Sequence, residues 1–247
     1  MKQRQILALL LLRSRTAVSA ATLAEELWGE RPPRTAASAI HTYVMNLRKA
    51  FARVLGMSTA EVAAARLQTR RGGYLLNVAP GELDIHEYEA LGNAGDHALQ
   101  AGDLAGATDA FRHALAVWQG PALMDVEQGR LVRADVARLE QSRLTLTERK
   151  IAAELHLGRH RRVLDELASL VVRHRFHEGL HGQFILALHR SEQRARALEV
   201  FQQLRKAMAS ELALEPSPRL QRLQRAVLVG DPTLDANPAA AWLPASP

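Results

Sequence analysis

Two adjacent prolines, Pro32 and Pro33, stand between two stretches of helical periodicity, and no helix can run through them. Proline has no amide proton to donate and pushes the residue before it towards extended backbone. Glu30-Arg31-Pro32-Pro33-Arg34 is therefore a loop, and the helices on either side are separate. Before it, Ser19 or Thr22 can cap a helix that runs through Leu23 and Leu27 to Trp28-Gly29, where glycine offers a stop. After it, Thr35 is expected to cap a helix whose apolar stripe is Ile40, Val44, Leu47 and Phe51. Residues 3–13 carry an apolar face of their own and predict a first helix.

Beyond an alanine-rich stretch (Ser58 to Ala65), Arg66-Leu67-Gln68-Thr69 and Tyr74-Leu75-Leu76-Asn77-Val78 flank Arg70-Arg71-Gly72-Gly73, which reads as a hairpin. Three helices followed by a basic hairpin is the order of a winged helix-turn-helix. Pro80-Gly81 then marks a boundary, so the reading places a first domain at 1–80. From Asp84 to Gly230 every strong signal is helical, and Val163-Leu164-Asp165-Glu166-Leu167 falls on Ala197-Leu198-Glu199-Val200-Phe201 at an offset of 34 residues. That offset is the tetratricopeptide period, and stacked helix pairs of this kind offer a concave protein-binding surface. The second domain is expected at 84–230, and the Pro/Ala-rich 231–247 is expected to be a disordered tail. The fold class is mainly α.

A chain of 247 residues suits two such domains. The absence of cysteine excludes disulfides, thiolate zinc sites and cysteine nucleophiles, and no glycine loop of the phosphate-binding type appears, so no cofactor is expected. The apolar run Ile6–Leu12 is short and leads into Arg13 and Arg15 rather than a cleavage site, and no later run is long enough to span a membrane. A soluble, cytoplasmic protein is expected.

Charge is unevenly placed. Residues 1–83 hold 12 Lys/Arg against 5 Asp/Glu, while the rest hold 20 against 21, so the net +6 of the chain lies wholly in its first third. Such a surface binds a polyanion by releasing its counterions, which points to DNA at the N-terminal domain. On the third helix the positions opposite the apolar stripe are Ser38, Thr42, Met45, Asn46 and Lys49, with His41 and Arg48 to the side. Asn pairs with adenine, Thr meets a thymine methyl or a base edge, and Arg or Lys binds guanine or phosphate. Arg34, Arg48 and Lys49 are expected near phosphates, Thr35 opens the helix as part of the same DNA-binding set, and Arg70 and Arg71 at the hairpin tip suit a narrow minor groove or its phosphates. The competing reading is an ordinary solvated helix face; the proline loop before it and the basic hairpin after it favour DNA.

These residues carry a family resemblance. Lys2-Gln3-Arg4 leading into Leu9 to Leu12, Glu26-Leu27-Trp28-Gly29, Pro32-Pro33, Leu47-Arg48-Lys49-Ala50-Phe51 and Gly73-Tyr74 resemble the DNA-binding half of the Streptomyces antibiotic regulatory protein family. Pro80-Gly81-Glu82-Leu83-Asp84, Ala114-Leu115-Ala116-Val117-Trp118-Gln119-Gly120-Pro121 and Arg190 to Arg205 resemble its tetratricopeptide-like bacterial transcriptional activation domain. The resemblance implies an OmpR-type winged helix, the effector type of two-component systems. It further implies a homodimer on direct repeats of promoter DNA, recruitment of RNA polymerase with its sigma factor, and activation of an antibiotic gene cluster. The sequence departs from the family in three places. It opens close to the first helix, where members usually have a short sheet first, which implies a misplaced start or a shortened domain. The wing reads Arg71-Gly72-Gly73 where relatives often carry proline, and Ser58 to Ala65 looks inserted.

Two other classes compete. His177-Glu178-Gly179-Leu180-His181 matches the zinc-hydrolase pattern HExxH, with His174 the nearest third ligand; Gly179 weakens the helix that pattern needs, and the segment reads as a repeat junction. His156 and His160, four apart on a helix, read as surface histidines. The expectation is no metal and no catalysis. The remaining alternatives are a repressor and a tetratricopeptide-like interaction scaffold.

Overall fold

The computed structural model describes residues 1–235. The N-terminal third is built from α1 (Lys2–Leu12), β1 (Val18–Ser19), α2 (Ala20–Trp28), α3 (Ala36–Leu55), α4 (Thr59–Ala65), β2 (Leu67–Arg70) and β3 (Gly73–Leu76). Ile6, Leu9 and Leu10 of α1 meet Leu23 and Leu27 of α2, Ile40, Val44 and Leu47 of α3, and Leu67, Tyr74 and Leu76 of the hairpin in one apolar core. Each such side chain, fully withdrawn from water, contributes about 1.5–3 kcal/mol. The alanine-rich stretch is a genuine helix: Ser58 and Glu61 form a reciprocal capping box at the start of α4, whose Val62 enters the core.

The three strands form an antiparallel sheet of order β1-β3-β2, with Thr69 opposite Tyr74 and Arg70 opposite Gly73. Both wing glycines are required. Gly72 has φ +78°, and a methyl group on Gly73 would collide with the Val18 carbonyl of β1. Capping follows expectation at α2, where Ser19 Oγ accepts the Thr22 N–H (3.0 Å). At α3 it does not: Thr35 occupies the N-cap position, but its hydroxyl caps nothing. The Ala36 N–H is taken instead by the Pro33 carbonyl (2.9 Å), closing a turn over Arg34 and Thr35.

The helical remainder comprises α5 (Asp84–Gln100), α6 (Leu104–Ala116), α7 (Arg130–His156), α8 (Leu164–Arg173), α9 (Glu178–Arg190), α10 (Arg194–Leu212) and α11 (Pro218–Val229). Packing groups the chain differently from the boundary read at Pro80-Gly81. Among the described residues, one compact unit contains 1–90 and 116–144, and a second contains 91–115 and 145–235, with the divisions falling inside α5 and α7 and at the end of α6. In the second unit α9 is buried without interruption from Leu180 to Leu188, so it forms the centre rather than a surface helix. Arg149 Nη1 donates to both carboxylate oxygens of Asp96 (2.7 and 2.6 Å) and Lys150 Nζ to both of Glu166 (2.7 and 2.8 Å) in the same unit.

The first residues of the expected tail are ordered. Pro232–Leu234 form a 3-10 turn, Leu234 is fully buried, and its carbonyl accepts Arg190 Nε (2.8 Å). An apolar side chain with a place in the core outweighs the Pro/Ala composition around it. Residues 236–247 lie outside the described residues.

Within the first unit, Glu26 of α2 joins the winged helix to α7. Its carboxylate, 3 % exposed, accepts the N–H groups of Gly129 (2.7 Å), Leu131 (2.9 Å) and Val132 (3.1 Å). The opening amides of a helix have no partner inside it, and its positive end favours an anion there. Arg130 to Glu25 and Arg13 to Asp135 (3.2 and 3.3 Å) flank the contact, and Val132 enters the winged-helix core. Removing the carboxylate strands three donors at once, each costing about 1–3 kcal/mol when left unpaired. Glu26→Ala is thus expected to lower stability by about 3–5 kcal/mol in urea denaturation followed by circular dichroism, and Glu26→Gln by less. A loss below about 1 kcal/mol for the alanine variant would show that water replaces the carboxylate.

Candidate nucleic-acid interface

The twenty residues of α3 present one side to the core and one to solvent, as the spacing of Ile40, Val44 and Leu47 dictates. Arg34, Thr35, Ser38, His41, Thr42 and Lys49 are exposed, and Met45 and Asn46 are half-buried. Two hydroxyls on this face already have partners. Ser38 Oγ donates to the Thr35 carbonyl (2.9 Å) and Thr42 Oγ1 to the Ser38 carbonyl (3.0 Å), which leaves both oxygens as acceptors. The Asn46 amide hydrogen-bonds to no described residue, so it retains both a donor and an acceptor, the pair that adenine presents in the major groove.

Arg48 departs from its expected role. It is 6 % exposed, and its guanidinium faces inward. Nε and Nη2 both donate to the Leu67 carbonyl (2.9 and 2.7 Å), Nη2 also donates to Thr69 Oγ1 (2.9 Å), and Nη1 lies 3.7 Å from Met45 Sδ. A side chain enclosed in this way is no phosphate anchor. Arg48 lies four residues after Val44 and eight after Ile40, so it continues their line along the helix and turns towards the sheet. At the wing tip Arg71 is exposed and unpaired among the described residues, and Arg70 bonds only the Gln68 amide oxygen.

The basic excess of residues 1–83 separates into two populations. Lys2 donates to the Leu27 carbonyl (2.5 Å), Arg4 pairs with Asp125 (3.5 Å), Arg13 with Asp135 (3.1 Å), Arg66 with Glu82 (2.7 Å), and Arg48 holds Leu67. The remaining seven, Arg15, Arg31, Arg34, Lys49, Arg53, Arg70 and Arg71, meet no carboxylate among the described residues. Four of the five acids in the same span are meanwhile engaged, Glu25 by Arg130, Glu26 by α7, Glu61 by Ser58 and Glu82 by Arg66. Internal pairing therefore leaves a predominantly cationic set around α3 and the wing. Arg31 and Arg53 belong to it, although their sequence context, a loop and a helix end, assigned them no part.

Family comparison bears on what this surface does. Residues 83–228 match the bacterial transcriptional activator domain, and residues 1–76 match the C-terminal domain of transcriptional regulatory proteins. Regulatory protein DnrI of Streptomyces peucetius is 44 % identical over 244 residues, covering 97 % of this chain and 90 % of its own length. The chain belongs to the Streptomyces antibiotic regulatory protein family. It is a DNA-binding transcription activator, with an OmpR-type winged helix followed by the activator domain. AfsR of Streptomyces coelicolor is 38 % identical over 240 residues, 97 % of this chain but only 23 % of AfsR. The structure of Mycobacterium tuberculosis EmbR in complex with a low-affinity phosphopeptide superposes with a TM-score of 0.87 at 30 % identity, covering 97 % of this chain and 62 % of that one.

The family consists of transcriptional regulators, and the HExxH segment has a structural account within it. His177 precedes α9 as its N-cap (φ −82°, ψ 91°) and so is not a helical residue one turn from His181. Its Nδ1 accepts the Leu180 N–H (3.4 Å) and lies 3.4 Å from Glu148 Oε1. Glu178, the base of a zinc hydrolase, accepts instead the Ser217 N–H (2.7 Å) ahead of α11. His156 and His160 do not share a helix, because α7 ends at His156 and His160 opens a 3-10 turn.

Burial does perturb this cluster. It lowers the pKa of His181, and likewise of His160 and His174, below the ordinary 6.5, and it raises that of Glu148, against which His177 acts. A histidine kept neutral by the fold stabilises it fully above the unfolded value. That contribution is lost as pH falls from about 6.5 towards the depressed folded value, because the unfolded chain takes up the proton first. Glu148 works in the opposite sense, so the comparison that isolates His181 is between variants. His181→Gln is expected to lose less stability than the parent between pH 7 and pH 5.5, by chemical denaturation at both; equal losses would place the acid sensitivity elsewhere.

Proposed function

We propose that this activator reads directly repeated promoter sites as a homodimer, with α3 in the major groove and the wing over the adjacent minor groove. Thr42, Met45 and Asn46 meet base edges, flanked by Ser38 and His41. Arg34, Thr35 and Lys49 hold phosphates around α3, and Arg70 and Arg71 hold them at the wing. The observation that carries this reading is the seven basic residues left without a carboxylate, concentrated around α3 and the hairpin tip. Backbone contacts supply affinity and position, while base contacts supply sequence discrimination.

In this reading residues 1–80 bind DNA and residues 84–230 contact the transcription machinery, recruiting RNA polymerase with its sigma factor in the cytoplasm. Family membership supports an antibiotic biosynthesis cluster as the target. No described helix is long and apolar enough to cross a membrane.

Selection of random duplexes by the purified protein, followed by sequencing, is expected to enrich a short direct repeat; retention without any motif would overturn the reading. On the enriched site Asn46→Ala is expected to cost about 1–3 kcal/mol while leaving binding to random DNA unchanged. Arg71→Ala is expected to weaken both alike and to reduce the slope of log affinity against log salt by about one.

A further inference from the structure

Arg48 is the buried cation of the winged helix, and its partners are a carbonyl and a hydroxyl rather than a carboxylate. Which carbonyl it holds is informative. The Arg66 carbonyl accepts the Asn77 N–H (2.8 Å) and so faces β3. Successive residues of a strand point their peptide groups to alternate sides, so the Leu67 carbonyl faces away from β3. β2 is the last strand of the sheet, and this carbonyl therefore lies on its open edge, where no strand satisfies it. Two nitrogens of Arg48 converge on it, and one of them continues to Thr69, the residue before Arg70. The same guanidinium touches Met45, one turn back on the recognition face of α3.

We infer that Arg48 is a positioning residue for DNA binding: it fastens the root of the wing to the recognition helix, so that Arg70 and Arg71 reach the backbone while α3 occupies the groove. This rests on the DNA-binding reading above. The planar fork matters, since several parallel donors fix both distance and angle, whereas an ammonium group at the same place is a point charge that fixes neither. β1 and the apolar core hold β3, but residues 67–70 pair only with β3, so on the open side of the hairpin β2 meets α3 through side-chain contacts of this kind.

A double-mutant cycle on the full chain tests the inference with a duplex carrying the selected direct repeat. Arg48→Lys is expected to reproduce most of the affinity loss of Arg70→Ala/Arg71→Ala and to lower the salt slope by about two, as that pair does, while the base preference read by α3 is retained. Combined with the wing pair, it is expected to cause no further loss, because the contacts it orients are already gone. Thr69→Val, which removes one acceptor without changing volume much, is expected to shift the slope in the same direction by less than one and to show the same absence of additivity. It carries the test should Arg48→Lys fail to fold. A loss that adds in full to that of the wing pair would assign Arg48 to stability alone and overturn the inference. Failure of the unaltered protein to bind the repeat would instead remove the reading beneath it, and the two failures are distinct.

Discussion

The buried carboxylate of Glu26 is the constraint on which the rest of the first unit depends. A lone ionised group beneath the surface is costly unless hydrogen bonds replace its water. Here the replacement is the amino end of α7, more than a hundred residues away in the chain. The arrangement works in both directions: the helix supplies donors that the carboxylate needs, and the carboxylate supplies an acceptor that the helix end needs. With that contact in place, Val132 completes a core begun by α1 and α3, and the division between DNA-binding and activator segments ceases to be a division in packing.

Charge follows the same economy of placement. A net positive count says little about where a polyanion will sit, because a lysine or arginine facing a carboxylate attracts it weakly. In this activator the cations near α7, the hairpin base and the domain boundary are paired, and those at the helix start, the exposed helix face and the wing tip are not. The surface that remains is therefore shaped by pairing as much as by composition. Its acceptor-rich hydroxyls and one unengaged amide give α3 a mixed hydrogen-bonding face, suited to base edges that present both donors and acceptors.

Much of this was legible before any coordinates. The paired prolines, the stripe from Ile40 to Phe51 and the Gly-Gly hairpin locate the winged helix because each depends on local geometry: a missing amide, a 3.6-residue period, a backbone that only glycine adopts easily. The features that escaped are non-local. β1 is two residues long and exists only because β3 lies beside it. Leu234 reads as part of a disordered tail until its burial is known. Arg48 shares its residue type with the exposed arginines, and although its spacing from Val44 points it inward, only the open strand edge shows what satisfies its charge there. Of the candidate surface, the helix and the wing tip could be read from sequence, whereas the separation of anchoring from structural cations could not.

The closure of that edge has a further consequence for how copies of the chain can meet. An exposed strand edge is an invitation to pair with a strand of another molecule, the usual route to swapped and aggregated forms. The guanidinium seated on the Leu67 carbonyl occupies one of the acceptors that such a strand would need, and the Thr69 hydroxyl beside it is engaged as well. Association through a continuous sheet is thereby disfavoured at the wing, and copies bound as proposed to adjacent repeats would meet through side chains. Contacts of that kind form and release without unravelling the fold of either neighbour.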